Sequence, residues 1–240
     1  MMESSLFLSL SLSLLALSPI AFSGGDNLVA QGIRSVQGDE VVLLTTERPC
    51  GSKGPEEDLG IALRSTDGGV TWDRLSSPIK NAQFTHAGTD GRGSLWLAGE
   101  IYLEGPPRDP FVLVPTPGLT SSWTLHTIVD GAASIEGMSL ATKGRIAVWV
   151  RRLSLKSKGW EGDVFEYHSA DNGATWRLMG KTQPRGDLPG IAKEQGRWRV
   201  QDDGGAGFVV QRQTEARAGW QTVHAFPWHG CSEQEQSPQR

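Results

Sequence analysis

Ser65-Thr66-Asp67-Gly68-Gly69-Val70-Thr71-Trp72 recurs as Ser169-Ala170-Asp171-Asn172-Gly173-Ala174-Thr175-Trp176. Both octets read S-x-D-x-G-x-T-W. Shared residues at fixed offsets mark a repeat, and a repeat decides architecture before any local pattern does. Two weaker copies accompany them. Gly118-Leu119-Thr120-Ser121-Ser122-Trp123 keeps Gly, Thr and Trp, and Thr214-Glu215-Ala216-Arg217-Ala218-Gly219-Trp220 keeps only a shadow. The tryptophans at 72, 123, 176 and 220 stand 51, 53 and 44 residues apart, with Trp96, Trp149 and Trp198 as a second column upstream.

Units of roughly fifty residues overlay on this frame. Each opens with a short apolar strand and a polar turn: Gln37-Gly38-Asp39, Asp90-Gly91-Arg92-Gly93, Lys143-Gly144-Arg145, Gln195-Gly196-Arg197. A second strand follows (Val41–Thr45, Ser94–Gly99, Ile146–Val150, Trp198–Val200), then a variable loop and a third strand (Gly60–Arg64, Phe111–Val114, Val164–His168, Phe208–Gln211). Past the D-x-G turn comes a fourth (Trp72–Leu75, Trp123–Ile128, Trp176–Met179, Trp220–Phe226). Short β-prone strands at even spacing with Gly turns predict an all-β fold over residues 24–231. The expected form is a β-propeller of four blades, each of four antiparallel strands. The composition agrees, with 30 Gly and 9 Trp against 2 Tyr, and nothing beyond residue 23 shows helical periodicity.

The octets match the Asp-box (BNR) repeat. On them the chain resembles the sialidase-like β-propellers, a pattern shared with sortilin-type receptors and several glycoside hydrolases. As a repeat the resemblance spans residues 27–228; only the octets match closely. It implies that the boxes lie opposite the face a sialidase uses for catalysis. Ser65, Asp67, Gly69, Thr71, Trp72, Ser169, Asp171, Gly173, Thr175 and Trp176 are then structural. Their chemistry fits that role: Asp accepts backbone N–H groups within the turn, Gly takes positive φ, the hydroxyls add hydrogen bonds and Trp wedges between sheets. Enzymes of the sialidase family use six blades. Four units make either a closed small ring or an open fragment.

Residues 1–23 read as a secretory signal, with an apolar run from Leu6 to Leu17 and a small-residue site at Ala21-Phe22-Ser23. The run is too short to span a membrane, so a secreted or periplasmic protein without a membrane span is expected, ending in a disordered polar tail at 232–240. The formal charge of −4 argues against a nucleic-acid partner. The cysteines, Cys50 and Cys231, are the only two in the chain, and an even count in an exported protein favours a disulfide. In a closed ring both map to the face away from the boxes, so their bond would staple the closure. No Cys or His cluster suits a metal, and no cofactor is expected.

Ligand sites in propellers gather on the loop-rich face. The loops there run Thr46–Asp58, Glu104–Pro110, Arg151–Asp163 and Asp202–Gly205. They offer Arg48, Glu104, Arg108, Arg151, Arg152, Trp160 and Glu161 as ligand-binding candidates. By resemblance, a sialidase needs three arginines on a carboxylate, a Tyr nucleophile relieved by a Glu, and an Asp for proton transfer. Tyr102, Glu136 and Arg34 are the catalytic candidates. The R-I-P motif of that family is missing, with Gly32-Ile33-Arg34-Ser35 its nearest echo. The expectation is a monomeric, non-catalytic propeller binding a glycan or an extracytoplasmic protein. A sialidase-like glycoside hydrolase and an assembly scaffold are the alternatives.

Overall fold

The structure is a computed structural model describing residues 27–36, 38–50, 52, 57–75, 79–90, 93–102, 108–116, 123–131, 133–141, 145–156, 159–183, 190, 192–215 and 219–228. The expected signal segment, the polar tail, Glu104 and Cys231 lie outside these residues. Among them, no helix is long and apolar enough to cross a membrane.

The described chain folds as four antiparallel sheets. The first holds β1 (Asn27–Ser35), β2 (Val41–Arg48), β3 (Leu59–Ser65) and β4 (Asp73–Arg74), with a short β5 (Ile79–Lys80) also paired to β3. The second holds β6 (Ala82–Thr89), β7 (Leu95–Tyr102), β8 (Arg108–Pro115) and β9 (Trp123–Thr127). The third holds β10 (Ala133–Leu140), β11 (Ile146–Lys156), β12 (Gly159–Ser169) and β13 (Arg177–Thr182). The fourth holds β14 (Glu194–Gln195), β15 (Trp198–Asp202), β16 (Gly207–Arg212) and β17 (Gln221–Pro227). Within each sheet the main strands follow one another in chain order. β1 lies against both β6 and β14, and β10 lies against β6. The first strand of each unit is therefore innermost, which is the arrangement of a four-bladed propeller.

Burial follows from this stacking. The run Val41–Thr46 is buried at every position because β2 has a sheet on both faces. Val41 and Leu43 join Trp198, Val200 and Phe226 between the first and fourth sheets. Val42 and Leu44 join Phe84, Leu97 and Phe111 between the first and second. Trp96 and Val112 meet Met138, Val148 and Tyr167 between the second and third. Among the described residues no comparable apolar cluster joins the third and fourth. Strand alternation supplies the reason: with Trp198, Val200 and Val210 turned to the first sheet, the other face of β15 and β16 carries Arg199, Gln201 and Gln211, with Val209 as its one apolar residue among these pairs. Arg199 lies 4.5 Å over the Trp220 ring and donates to Gln211 Oε1 at 2.6 Å, and Gln211 donates to Thr222 at 3.1 Å.

Each octet closes on its own carboxylate. Asp67 Oδ1 accepts from Ser65 Oγ at 2.8 Å, Val70 N at 3.1 Å and Thr71 N at 2.9 Å, while Oδ2 accepts from Thr71 Oγ1 at 2.6 Å. Asp171 repeats the pattern with Ser169 Oγ at 2.8 Å, Thr175 N at 2.9 Å and Thr175 Oγ1 at 2.7 Å. Slight burial pulls the Asp67 carboxyl up, but the hydrogen bonds led by Thr71 outweigh it and bring it down to about 2. Its stabilising contribution is therefore complete above the ordinary carboxylate range and lost as pH falls through about 2. Gly69 has φ +86°, and a Cβ there would sit 2.9 Å from Trp198 and Val223 of the fourth sheet. Gly173 has φ +81°, and its Cβ would sit 2.9 Å from Val112 of the second. Each turn thus rests on the preceding sheet. Trp72 donates Nε1–H to Gly69 O at 3.0 Å and meets Phe226 edge-on at 5.9 Å.

Two expectations need correction. Residues 151–163 are not a loop: β11 and β12 form a long hairpin in continuous register from Ile146↔Ser169 to Lys156↔Gly159, so Arg151, Arg152, Trp160 and Glu161 are strand residues. Continuous pairing of the two backbones carries the strands through the stretch whose charges read as loop. The first unit's fourth strand is only Asp73–Arg74, and its outer edge is continued by β5.

Trp72→Ala should lose about 3–5 kcal/mol of unfolding free energy, because the indole fills the first–fourth seam. Arg199→Ala on the polar face should lose at most about 1 kcal/mol. Urea denaturation of both variants checks this, and equal losses would contradict the asymmetry of the seams.

Candidate functional site

The innermost strands share an irregularity. Register shifts fall between Ala30 and Gly32 in β1, Phe84 and His86 in β6, and Ile135 and Gly137 in β10. The extra residues are Gln31, Thr85 and Glu136, at matching places in three units. A bulge bends its strand and re-aims the side chain there, so one device sets polar groups around the axis three times.

Opposite the octets, between the first and second sheets, lies a hollow of about 140 Å³ lined by Gln31, Thr46, Arg48, Asp58, Ala82, Gln83 and Tyr102. The ends of β1, β2, β6 and β7 meet there. Gln31 Nε2 donates to Thr46 Oγ1 at 3.2 Å, Gln83 Nε2 donates to Gln31 Oε1, and the Tyr102 hydroxyl donates to Gln83 Oε1. The four side chains form one directed relay across the seam. Each amide retains a second N–H for a ligand.

The arginines around this relay are engaged. Arg48 donates through Nε at 3.0 Å and Nη2 at 2.9 Å to the two oxygens of Asp58, whose side chain is only 6% exposed. That bond holds the Arg48 guanidinium above its ordinary value, slight burial opposing it. Arg108 pairs with Glu100 at 2.8 Å and lies 4.5 Å over the Tyr102 ring. Glu100 is 4% exposed and also accepts Ile135 N at 3.1 Å, tying the second sheet to the third. Arg151 donates to Glu136 at 2.7 Å and to Gly162 O at 3.0 Å. Burial raises the Tyr102 phenol; nearby Arg108 opposes this, and Glu100 and Asp58 add to it.

Arg34 and His86 occupy the axis below the hollow. Arg34 pairs across to Val42 near the octet end of β1, makes no ion pair with a described residue, and is lowered by burial. His86 is buried, meets Thr85 Oγ1 through Nδ1 at 3.0 Å, and leaves Nε2 without a partner. Burial, then the Arg34 charge, drive its pKa down to about 4 against a smaller upward pull from Glu136.

The candidates therefore divide. Arg48 and Tyr102 line the hollow, with Arg108 behind the Tyr102 ring. Arg151 and Glu136 form a pair on the third sheet, Arg152 is exposed on β11, and Arg34 is axial. Glu104 and the side chains of Trp160 and Glu161 lie outside the description. Gln31, Gln83, Asp58, Glu100 and His86 were not singled out as candidates. A lone Gln carries no motif, and Gln31 meets Gln83 across 52 positions of chain. Among the described residues no group of three His, Cys, Asp or Glu is placed to hold a metal. A second hollow, about 160 Å³, opens at the first–fourth seam among Leu28, Val29, Ala30, Phe208 and Trp228.

No family model matches this chain, and no curated protein does. Among solved structures it is similar to a glycosyl hydrolase from Bacteroides ovatus, at 14% identity and TM-score 0.37 over 81% of this chain and 62% of that one. It is also similar to Trypanosoma rangeli sialidase in complex with 2,3-difluorosialic acid, at 14% identity and TM-score 0.37 over 78% of this chain and 34% of the other. The chain thus spans less than two thirds of the length of either. Likeness this remote leaves the chemistry of the hollow to be read from its own side chains.

Since His86 is held neutral in the fold, the unfolded chain binds its proton first as pH falls. Stability should therefore rise with pH from about 4 up to the ordinary histidine range, and be level above it as far as this group is concerned. NMR titration should place the His86 midpoint near 4; a midpoint in the ordinary range would show a solvated ring.

Proposed function

We propose that this chain is an exported, non-catalytic β-propeller that binds a glycan in the hollow between its first and second sheets. One observation carries the reading: the relay Tyr102–Gln83–Gln31–Thr46 at the mouth of a hollow. Amides and hydroxyls that both donate and accept suit sugar hydroxyls, which do the same. A glycan is favoured over an extracytoplasmic protein or a scaffold partner because the lining is small, concave and polar. The protein acts as a monomer on this reading, without cofactor.

The sialidase-type alternative has less support from the same groups. A Tyr nucleophile needs a neighbouring base to relieve it of its proton. The Tyr102 hydroxyl donates to an amide oxygen, and its environment raises the phenol rather than lowering it. Arg48, Arg108 and Arg151 are each held by a carboxylate of the protein. The octets, read as Asp boxes, serve the opposite face as structure.

Export and the Cys50–Cys231 bond belong to this proposal as well. The support is that no free cysteine occurs among the described residues, Cys50 included. Thiol titration of the denatured, unreduced protein should find no reactive thiol, and two would sink the bond.

A glycan array probed with the full chain should return binding that Gln83→Ala weakens at least roughly tenfold with little change in melting temperature. Release of a fluorogenic aglycone from sialosides, lost on Tyr102→Phe, would instead establish the hydrolase. Absence of binding to any glycan would remove the reading.

A further inference from the structure

The electrostatics of the hollow say which glycans enter it. A ligand carboxylate is recognised by a guanidinium presenting two parallel N–H donors. Among the described residues Arg48 is the only cation lining the hollow; Asp58 holds its Nε/Nη2 edge and balances its charge, so the remaining Nη1/Nη2 edge acts without net charge behind it. Asp58 is the more buried partner, so the pair cannot open without stranding a carboxylate away from water. Arg108 stands next in line, behind the Tyr102 ring, and is tied to the equally buried Glu100. Arg34, which makes no ion pair with a described residue, belongs to the octet end of β1 and is not among the residues lining the hollow. The wall therefore presents neutral amides and hydroxyls beside charges that cancel in place.

We infer that the hollow selects a neutral, hydroxyl-rich sugar and rejects sugars bearing a carboxylate. This rests on the glycan-binding reading above and narrows it. A ligand carboxylate would surrender its hydration to meet a guanidinium whose charge Asp58 already balances, with the Asp58 carboxylate beside it. A sugar hydroxyl can donate to or accept from the free positions of Gln31 and Gln83 without disturbing either ion pair.

The test uses the intact chain and matched probes: neutral hexosides and the uronates made from them by oxidation at C6, which differ only in the carboxylate. Calorimetry should find the neutral members bound at least roughly tenfold more tightly. Their affinity should be nearly unchanged between roughly 50 and 500 mM NaCl. Asp58→Asn releases Arg48 and should narrow or reverse the preference; its circular dichroism and melting temperature report whether it folds. Tighter uronate binding by the wild-type chain overturns the inference while leaving the glycan reading intact, as does an unchanged ratio in folded Asp58→Asn. Failure of every probe, neutral and acidic, overturns both. The wild-type ratio decides the matter even where the variant does not fold.

Discussion

A carboxylate that collects the donors of its own turn is the constraint from which this architecture follows. Asp67 binds Ser65, Val70 and Thr71 at once, and the turn so closed delivers Trp72 into the first–fourth seam. Asp171 does the same for the second–third seam, where Trp176 packs against the apolar cluster. An isolated sheet of four short strands buries too little to stand alone; stacked sheets bury a continuous core. The turn is thus the local event that makes non-local stacking pay its entropic cost. Further side chains fasten the first–fourth seam: Arg212 pairs with Asp39 and lies 5.1 Å over Trp198, and His224 meets Val70 O at 3.0 Å.

The stacking also explains where chemistry can reside. The octets occupy one rim. At the other, the ends of strands from adjacent sheets converge, and bulged inner strands turn polar side chains toward the axis. The hollow lies beyond the apolar packing of Val42, Leu44, Phe84 and Phe111, where Gln31 and Gln83 reach across to each other. Its electrostatic character is set one layer out, by Asp58 and Glu100, buried carboxylates that hold the arginines in place.

Much of the fold was legible in the sequence because its determinants are local. Asp67, Gly69, Thr71 and Trp72 lie within one octet, and the second-strand runs such as Val41–Thr45 announce burial on two faces. The third unit's hairpin was misread because Arg151, Arg152 and Lys156 resemble solvated loop chemistry; backbone pairing, invisible to composition, makes them strand. The bulges carried no signature either. Of the site, Arg48, Arg108 and Tyr102 were within reach of a reading that located the loop-rich face. Their partners were not, since whether an arginine is free or neutralised depends on contacts such as Arg48–Asp58 that only register and loop geometry decide.

The claim that binding belongs to the Gln31–Gln83 hollow is tested most directly by NMR titration of the labelled chain with a neutral oligosaccharide. The side-chain amide signals of Gln31 and Gln83 and the ring signals of Tyr102 should move together and saturate, while the amides of Gly69 and Gly173 in the octets stay still. Shifts centred on the octets, or no saturable shift at the hollow, would contradict the account.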